Sequence, residues 1–328
     1  MKSASLALAL AGFVLTALML DLTGLHDVGA RLLAVGWRGA AALLVCQGAL
    51  FVLLGLAWAV LTPGGTRRLG LYVWGRMVRD AASACLPLAQ VGGFILGARV
   101  VTLAGIPWEQ AAATTVVDAT AEVLAQLAFA VIGLCILIAR QPDSGYAIPF
   151  AIGVFATLVG LGGFMWAQLG AAGLFARLGR RIASNRLQDA RARADALAAA
   201  LDAIYARPGR LALASGLHLA GWLATGLVGY LAYRLLGARL EIEDAIAIEG
   251  LLHAITAAAF LIPGNIGVQE AGYTGLGAAF GVAADLSLGV SLLLRARDLA
   301  LGLPVLLVWQ ATETRRLRRR RRPPSPAA

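Results

Sequence analysis

Long uncharged apolar runs separated by short polar stretches organise this chain. Ser3–Leu20 follows Lys2 and has no clear small-x-small cleavage site behind it, so an uncleaved first helix is expected rather than a signal peptide. Ala40–Leu61 is a second run, with Trp37 and Trp58 read as interface anchors. Pro107 and Trp108 open a long helix to about Ala139. Further spans are expected at Tyr146–Gln168, Leu211–Leu236 and Ala284–Gln310.

Two stretches break this pattern. Leu69–Leu86 and Val91–Ile106 are short apolar pieces separated by Pro87 and Gly92–Gly93, with Arg76, Arg79, Asp80 and Arg99 inside them. Ala245–Ile262 ends at Pro263-Gly264-Asn265, and a Gly-rich piece follows to about Phe280. Both are poor full spans and fair re-entrant helical hairpins, because irregular backbone at membrane depth survives only when covered by protein or lining a cavity. The expected fold is therefore all-α: a polytopic integral membrane helical bundle of about six full spans plus two interrupted or re-entrant hairpins. Span–hairpin–span occurs twice, at 40–61, 70–106, 108–139 and at 211–236, 244–281, 284–310. That arrangement predicts an inverted repeat, in which interrupted helices mark a midplane site. No residue-level repeat is apparent.

Composition agrees. The set AVILMFWYC makes up 59% of the 328 residues and charged residues only 14%, which excludes a water-soluble domain and a disordered chain. The runs do not alternate, which argues against a β-barrel. The net charge of +10 is concentrated in two places. Residues 170–210 carry eight Arg against three Asp, and 313–322 carry seven Arg against Glu313. With Lys2 and Arg67/Arg68, these clusters place both termini in the cytoplasm. One transmembrane domain over 1–311 is expected, with a basic segment at 170–208 and an Arg-rich tail at 312–328. Within the segment, Leu187, Ala190, Ala194, Leu197, Leu201 and Ile204 recur at helical spacing. They predict a helix lying either on the membrane or against the protein's own loops. Cys46, Cys85 and Cys135 are far apart and read as buried and inert.

Charges at spanning depth cost roughly 2.5–3.5 kcal/mol each and mark candidate function. Arg295 and Asp298 are spaced to pair on one face of the last helix, which leaves Arg297 needing another partner. Asp118 and Glu122 share a helix face, where they could share a proton, hold a cation or neutralise Arg297. Glu249 and His253 have the same spacing and suit a proton relay or a structural pair. After Pro263, Gly264 and Asn265, the residues Gln269, Glu270 and Tyr273 fall in the first turns of a new half-helix, where a carboxylate meets the positive end of the helix dipole. No Ser-His-Asp set, HExxH, Walker loop or dinucleotide fingerprint is present. No catalytic residue, metal ligand set or cofactor is expected, nor a nucleic-acid partner.

The stretch Leu86-Pro-Leu-Ala-Gln-Val-Gly-Gly-Phe94 through Arg99, the Asp118–Glu122 helix, Ile262-Pro-Gly-Asn-Ile-Gly-Val-Gln-Glu-Ala-Gly-Tyr273 and Arg295-Ala-Arg-Asp298 together resemble the lysylphosphatidylglycerol synthase transmembrane, or flippase-like, superfamily. The combination is most similar to its hopanoid-biosynthesis-associated branch. The resemblance implies a bacterial inner-membrane protein that moves a hopanoid or phospholipid between leaflets or hands it to a modifying enzyme. The alternative is a non-transporting scaffold for lipid-modifying enzymes, resting on the basic segment and tail. After residue 311 the sequence reads as a basic tail, so the aminoacyl transfer carried out by the synthases is not expected. The translocation path is expected to use Arg99, Asp118, Glu122, Glu249, Pro263, Gly264, Asn265, Gln269, Glu270, Tyr273, Arg295, Arg297 and Asp298.

Overall fold

The computed structural model describes residues 14–18, 21, 25–86, 89–142, 145, 148–149, 151–153, 155, 185–259 and 262–321. The first helix expected at Ser3–Leu20, the span at Tyr146–Gln168 and the start of the basic segment fall largely or wholly outside these residues. The described chain is all-helical: α1 (Leu25–Leu61), α2 (Leu69–Cys85), α3 (Ala89–Leu103), α4 (Trp108–Arg140), α5 (Asn185–Tyr205), α6 (Pro208–Leu235), α7 (Ile242–Ala258), α8 (Val268–Ala279) and α9 (Ala284–Arg321). Among the described residues, three helices are long and apolar enough to cross a membrane, over Val28–Leu61, Trp108–Arg140 and Pro208–Leu235. Leu33, Trp37, Val45, Ile95 and Leu307 stand exposed on the helices' outer faces, as lipid-facing residues would. α9 is long enough too, but Arg295, Arg297 and Asp298 interrupt its apolar surface.

Both interrupted stretches are hairpins. α2 and α3 have 17 and 15 residues, and α7 and α8 have 17 and 12. At 1.5 Å per residue each limb is at most ~26 Å long, short of the ~30 Å hydrocarbon core. The hairpins enter from opposite faces. Arg68, just before α2, donates to Ala104 O just after α3, so that hairpin opens and closes at one face. α7 begins beside Arg140, at the far end of α4, and Ala238 and Leu240 before it share a core cluster with Val282 after α8. Cys85 and Leu86 at the first tip and Gly264, Asn265 and Ile266 at the second line one cavity.

The neighbours obey a two-fold exchange. α1 packs on α6, α4 on α7 and α9 on α2. Swapping α1 with α6, α2 with α7, α3 with α8 and α4 with α9 leaves the major helix pairings among these eight unchanged. α1 and α6 run antiparallel, since Gly39 faces Leu235 while Gly221 faces Leu54. The halves are therefore inverted copies.

A residue register follows. Gly64 (φ 68) and Gly237 (φ 86) stand at the same distance before α2 and α7; Gly105 (φ 91) and Gly281 (φ 72) do so before α4 and α9. α3 opens Ala-Gln-Val-Gly-Gly-Phe94 and α8 opens Val-Gln-Glu-Ala-Gly-Tyr273. Gly93 faces the backbone of Arg79, and Gly272 faces Leu252 at the matching point of α7. This is the internal repeat that inspection of the sequence did not find. It is carried by a handful of positions whose spacing differs between helices, because the loops differ in length.

Several expectations need correction. Trp58 is not an interface anchor: it is 1% exposed, packs edge-to-face on Tyr72 and donates to Thr114 Oγ1 at 3.3 Å. Cys135 is exposed, and Cys46 and Cys85 are only half-buried. α9 does not stop at Gln310 but continues to Arg321. Of the two placements expected for the basic helix, α5 takes the one against the protein itself, with Leu197, Leu201, Ile204 and Tyr205 against Leu61, Ala113, Val117 and Ala214.

Candidate functional site

α2 supplies the cations and α4 the carboxylates of a buried cluster. One turn separates Arg76 from Arg79/Asp80 and Asp118 from Glu122, so each set projects from one face of its helix. Arg76 Nη2 donates to Glu122 Oε1 at 2.5 Å, Nη1 to Oε2 at 3.1 Å, and Nε to Asp80 Oδ2 at 2.7 Å. Arg79 donates to Asp118 Oδ2 at 3.0 Å and also to Glu122. Its guanidinium lies 3.8 Å over the Phe94 ring, so α3 covers the cluster with a π face. His218 of α6, 0% exposed, meets Asp118 Oδ1 at 2.9 Å through Nε2. Asp118 and Glu122 thus neutralise α2's two arginines, not Arg297.

The second hairpin's break is held by another charge pair. Gly264 (φ 60) and Asn265 (φ 50) both adopt left-handed backbone, which reverses the chain after Pro263. Gly267 N–H donates to Glu270 Oε2 at 2.7 Å, so Glu270 caps the start of α8 as its position predicts. Arg295 Nε reaches Glu270 Oε1 at 3.0 Å, and its Nη1 donates to Gly264 O at 2.9 Å. Arg295 is therefore the clamp of the break and does not pair with Asp298. Arg297 pairs with Asp298 instead, its Nη2 2.7 Å from Oδ1. Adjacent residues meet here because the long Arg297 side chain folds back to the short Asp298 carboxylate in cavities both residues line. Gln269 ties the start of α8 to α9 through Ser291.

Glu249 lies in α7 and is 1% exposed. Tyr273 of α8 donates to its Oε1 at 2.6 Å. His253 Nδ1 donates to the Glu249 carbonyl at 2.8 Å and stands 3.8 Å from Oε2. The two side chains are thus neighbours rather than a directly bonded relay. The His253 ring packs against Trp222, centroids 4.6 Å apart.

Three cavities, of about 220, 440 and 770 Å³, adjoin along these clusters. Glu122 and Asp298 line all three. They are also matching positions of the two-fold, since each stands equally far into α4 and α9. The central chamber is therefore built about the internal axis, between the two hairpin tips. Of the expected path residues, Asp118 is buried behind the chamber, and Gly264, Asn265, Gln269, Glu270 and Arg295 line its largest part. Pro263 lies in the short turn that opens the break. Arg99 is not brought there. It sits near the far end of α3, exposed, paired with Glu313 of α9 at 2.9 Å.

Arg76, Arg79, Asp80 and His218 belong to the site and were not assigned to it from sequence. Arg76, Arg79 and Asp80 had a signal, being charges inside an apolar piece. His218 had only its lone polarity within a span. Among the described residues, no group of three or more His, Cys, Asp or Glu side chains converges as a metal site.

The model of one protein family, the lysylphosphatidylglycerol synthase transmembrane region, matches residues 4–305. No curated protein and no solved structure matches the chain.

Proposed function

Because the chain belongs to the lysylphosphatidylglycerol synthase transmembrane-region family, a family of lipid-related membrane proteins, we propose that it carries polar lipids between the leaflets of the membrane. The observation that carries this reading is the chamber between the two hairpin tips. It lies along three helices of spanning length and is lined by ion pairs drawn from both inverted halves, set among apolar side chains. The headgroup passes through the chamber while the acyl or triterpenoid tail stays in the bilayer. Arg79–Glu122 and Arg297–Asp298 exchange partners with it in passing.

Hopanoids or phospholipids with anionic headgroups are the proposed cargo, and the bacterial inner membrane the proposed location. The clustering of Arg67/Arg68, α5 and the end of α9 on one face supports assigning that face to the cytoplasm. The test is reconstitution into phosphatidylglycerol/phosphatidylethanolamine vesicles with a labelled lipid in one leaflet. Faster exchange than in empty vesicles is expected, with loss of the acceleration in Arg297→Gln. Wild-type protein that is folded and leaves exchange unchanged would sink the reading.

A further inference from the structure

Six acidic side chains and four guanidiniums meet around the chamber. Among the described residues, the carboxylates are Asp80, Asp118, Glu122, Glu249, Glu270 and Asp298, and the guanidiniums are Arg76, Arg79, Arg295 and Arg297. The imbalance has an address. Of the buried carboxylates, Asp118 and Glu122 are bound by α2's arginines, Asp244 by Arg140 and Glu270 by Arg295. Glu249 alone of the described buried carboxylates has no guanidinium in ion-pair contact. Its one short bond is from the neutral hydroxyl of Tyr273.

The internal symmetry sharpens this. Glu249 stands as far into α7 as Arg76 stands into α2, and His253 matches Asp80. In the first half the pair is Arg76 with Glu122, a closed ion pair. In the second half the corresponding positions are Glu249 and Asp298, two acids. One half is locked by a guanidinium; the other has a carboxylate in its place. A lone carboxylate this buried is costly as an anion, and a proton removes that cost.

Resting on the lipid-transport reading, we propose that Glu249 is a proton-exchange site that couples lipid movement to a transmembrane pH gradient. The groups that face it are Tyr273 from α8, Tyr233 from α6, His253 on its own helix, and Arg297 and Asp298 from α9. From α4, Glu122 faces His253 across the same chamber, and Gln126 donates to the His253 carbonyl. Glu249 and His253 both line the 440 Å³ cavity, so the proton has a route; His218, fully buried behind Asp118, has none. In the cycle the carboxyl O–H forms from a solvent proton entering the chamber. It breaks when an anionic headgroup that has drawn Arg297 away from Asp298 departs, and the guanidinium it leaves turns to Glu249. The proton then leaves by the face the chamber has opened to. A sodium ion is the rival occupant, but it would need several converging oxygens, and no acidic or histidine triad is present among the described residues.

Infrared difference spectra across a pH jump read the carboxyl directly, without any lipid. A protonated-carboxyl band is expected in the wild type, absent from Glu249→Gln, whose amide oxygen still accepts from Tyr273, and shifted in Tyr273→Phe. A band unchanged in both variants overturns the proposal. In the vesicles described above, one proton per lipid redistributes the label roughly tenfold between leaflets per pH unit imposed. Label that equilibrates between leaflets but ignores the pH gradient overturns the coupling while leaving lipid transport intact. Redistribution that follows a sodium gradient at constant pH overturns it too. Label that does not move at all fails the transport reading itself, and the coupling with it.

Discussion

Arg79 is held from several sides in the chamber wall. It bonds Asp118 and Glu122, lies on Phe94, and has a glycine, Gly93, pressed to its backbone. Removing one partner of a buried pair leaves the other charge uncompensated, at a cost of about 3–5 kcal/mol. Arg79→Gln is therefore expected to lower the thermal midpoint in detergent sharply, as followed by tryptophan fluorescence. Asp298 is the contrast, because its side chain is 40% exposed to the cavity and has one partner. Asp298→Asn is expected to lower the thermal midpoint less than Arg79→Gln does, because Arg79 loses two carboxylate partners and Arg297 one, and to act on lipid exchange. At this scale the sequence revealed which helices carry unusual charge but not the pairing. Arg295–Asp298 is the natural i,i+3 pair on an isolated helix. Glu270 wins because α8 begins against α9 and offers Arg295 a buried carboxylate together with the Gly264 carbonyl.

Among the elements, the hairpins are set by two close glycine contacts that look alike in sequence and differ in consequence. A Cβ on Gly93 would stand 2.6 Å from the carbonyl oxygen of Arg79, which is backbone and cannot yield. A Cβ on Gly272 would stand 2.5 Å from Cδ1 of Leu252, the far end of a flexible side chain. Gly93→Ala is expected to cost about 1–3 kcal/mol, and Gly272→Ala clearly less, when both are measured by thermal unfolding in the same detergent. Reversal of that order would contradict the packing. Limb lengths, breaks and the Pro-Gly turn were legible in the chain because each depends on local chemistry. The extension of α9 to Arg321 was not: an Arg run reads as a solvated tail. Here Arg316 donates to Leu103 O and Glu313 pairs with Arg99, so the end of α9 is docked on the end of α3.

For the whole molecule, the two-fold exchange of neighbours predicts where the faces lie. Arg68 and Arg316 both bond the end of the first hairpin, while Arg31–Asp285 and Arg140–Glu241 lie at the other face. In Cys-free protein in sealed, oriented vesicles, single cysteines at Arg68 and Arg316 are expected to label from one side with a membrane-impermeant thiol reagent. Cysteines at Arg31 and Glu241 are expected to label from the other. Labelling of Arg68 and Glu241 cysteines from the same side would contradict the opposed entry of the hairpins.

The chain by itself determined the membrane class, the helical material, the two broken stretches and the order span–hairpin–span in each half. These follow from apolar run length, from proline and glycine, and from the cost of charge in hydrocarbon, all of which act within a few turns of backbone. Only the tertiary structure decided which cation meets which carboxylate, that Trp58 faces inward, that Arg99 lies outside the chamber, and that Glu249 is left without a guanidinium. Those outcomes depend on helix faces brought together from far along the sequence. There, the partner a charge finds is set by how the helices pack and not by its neighbours in the chain.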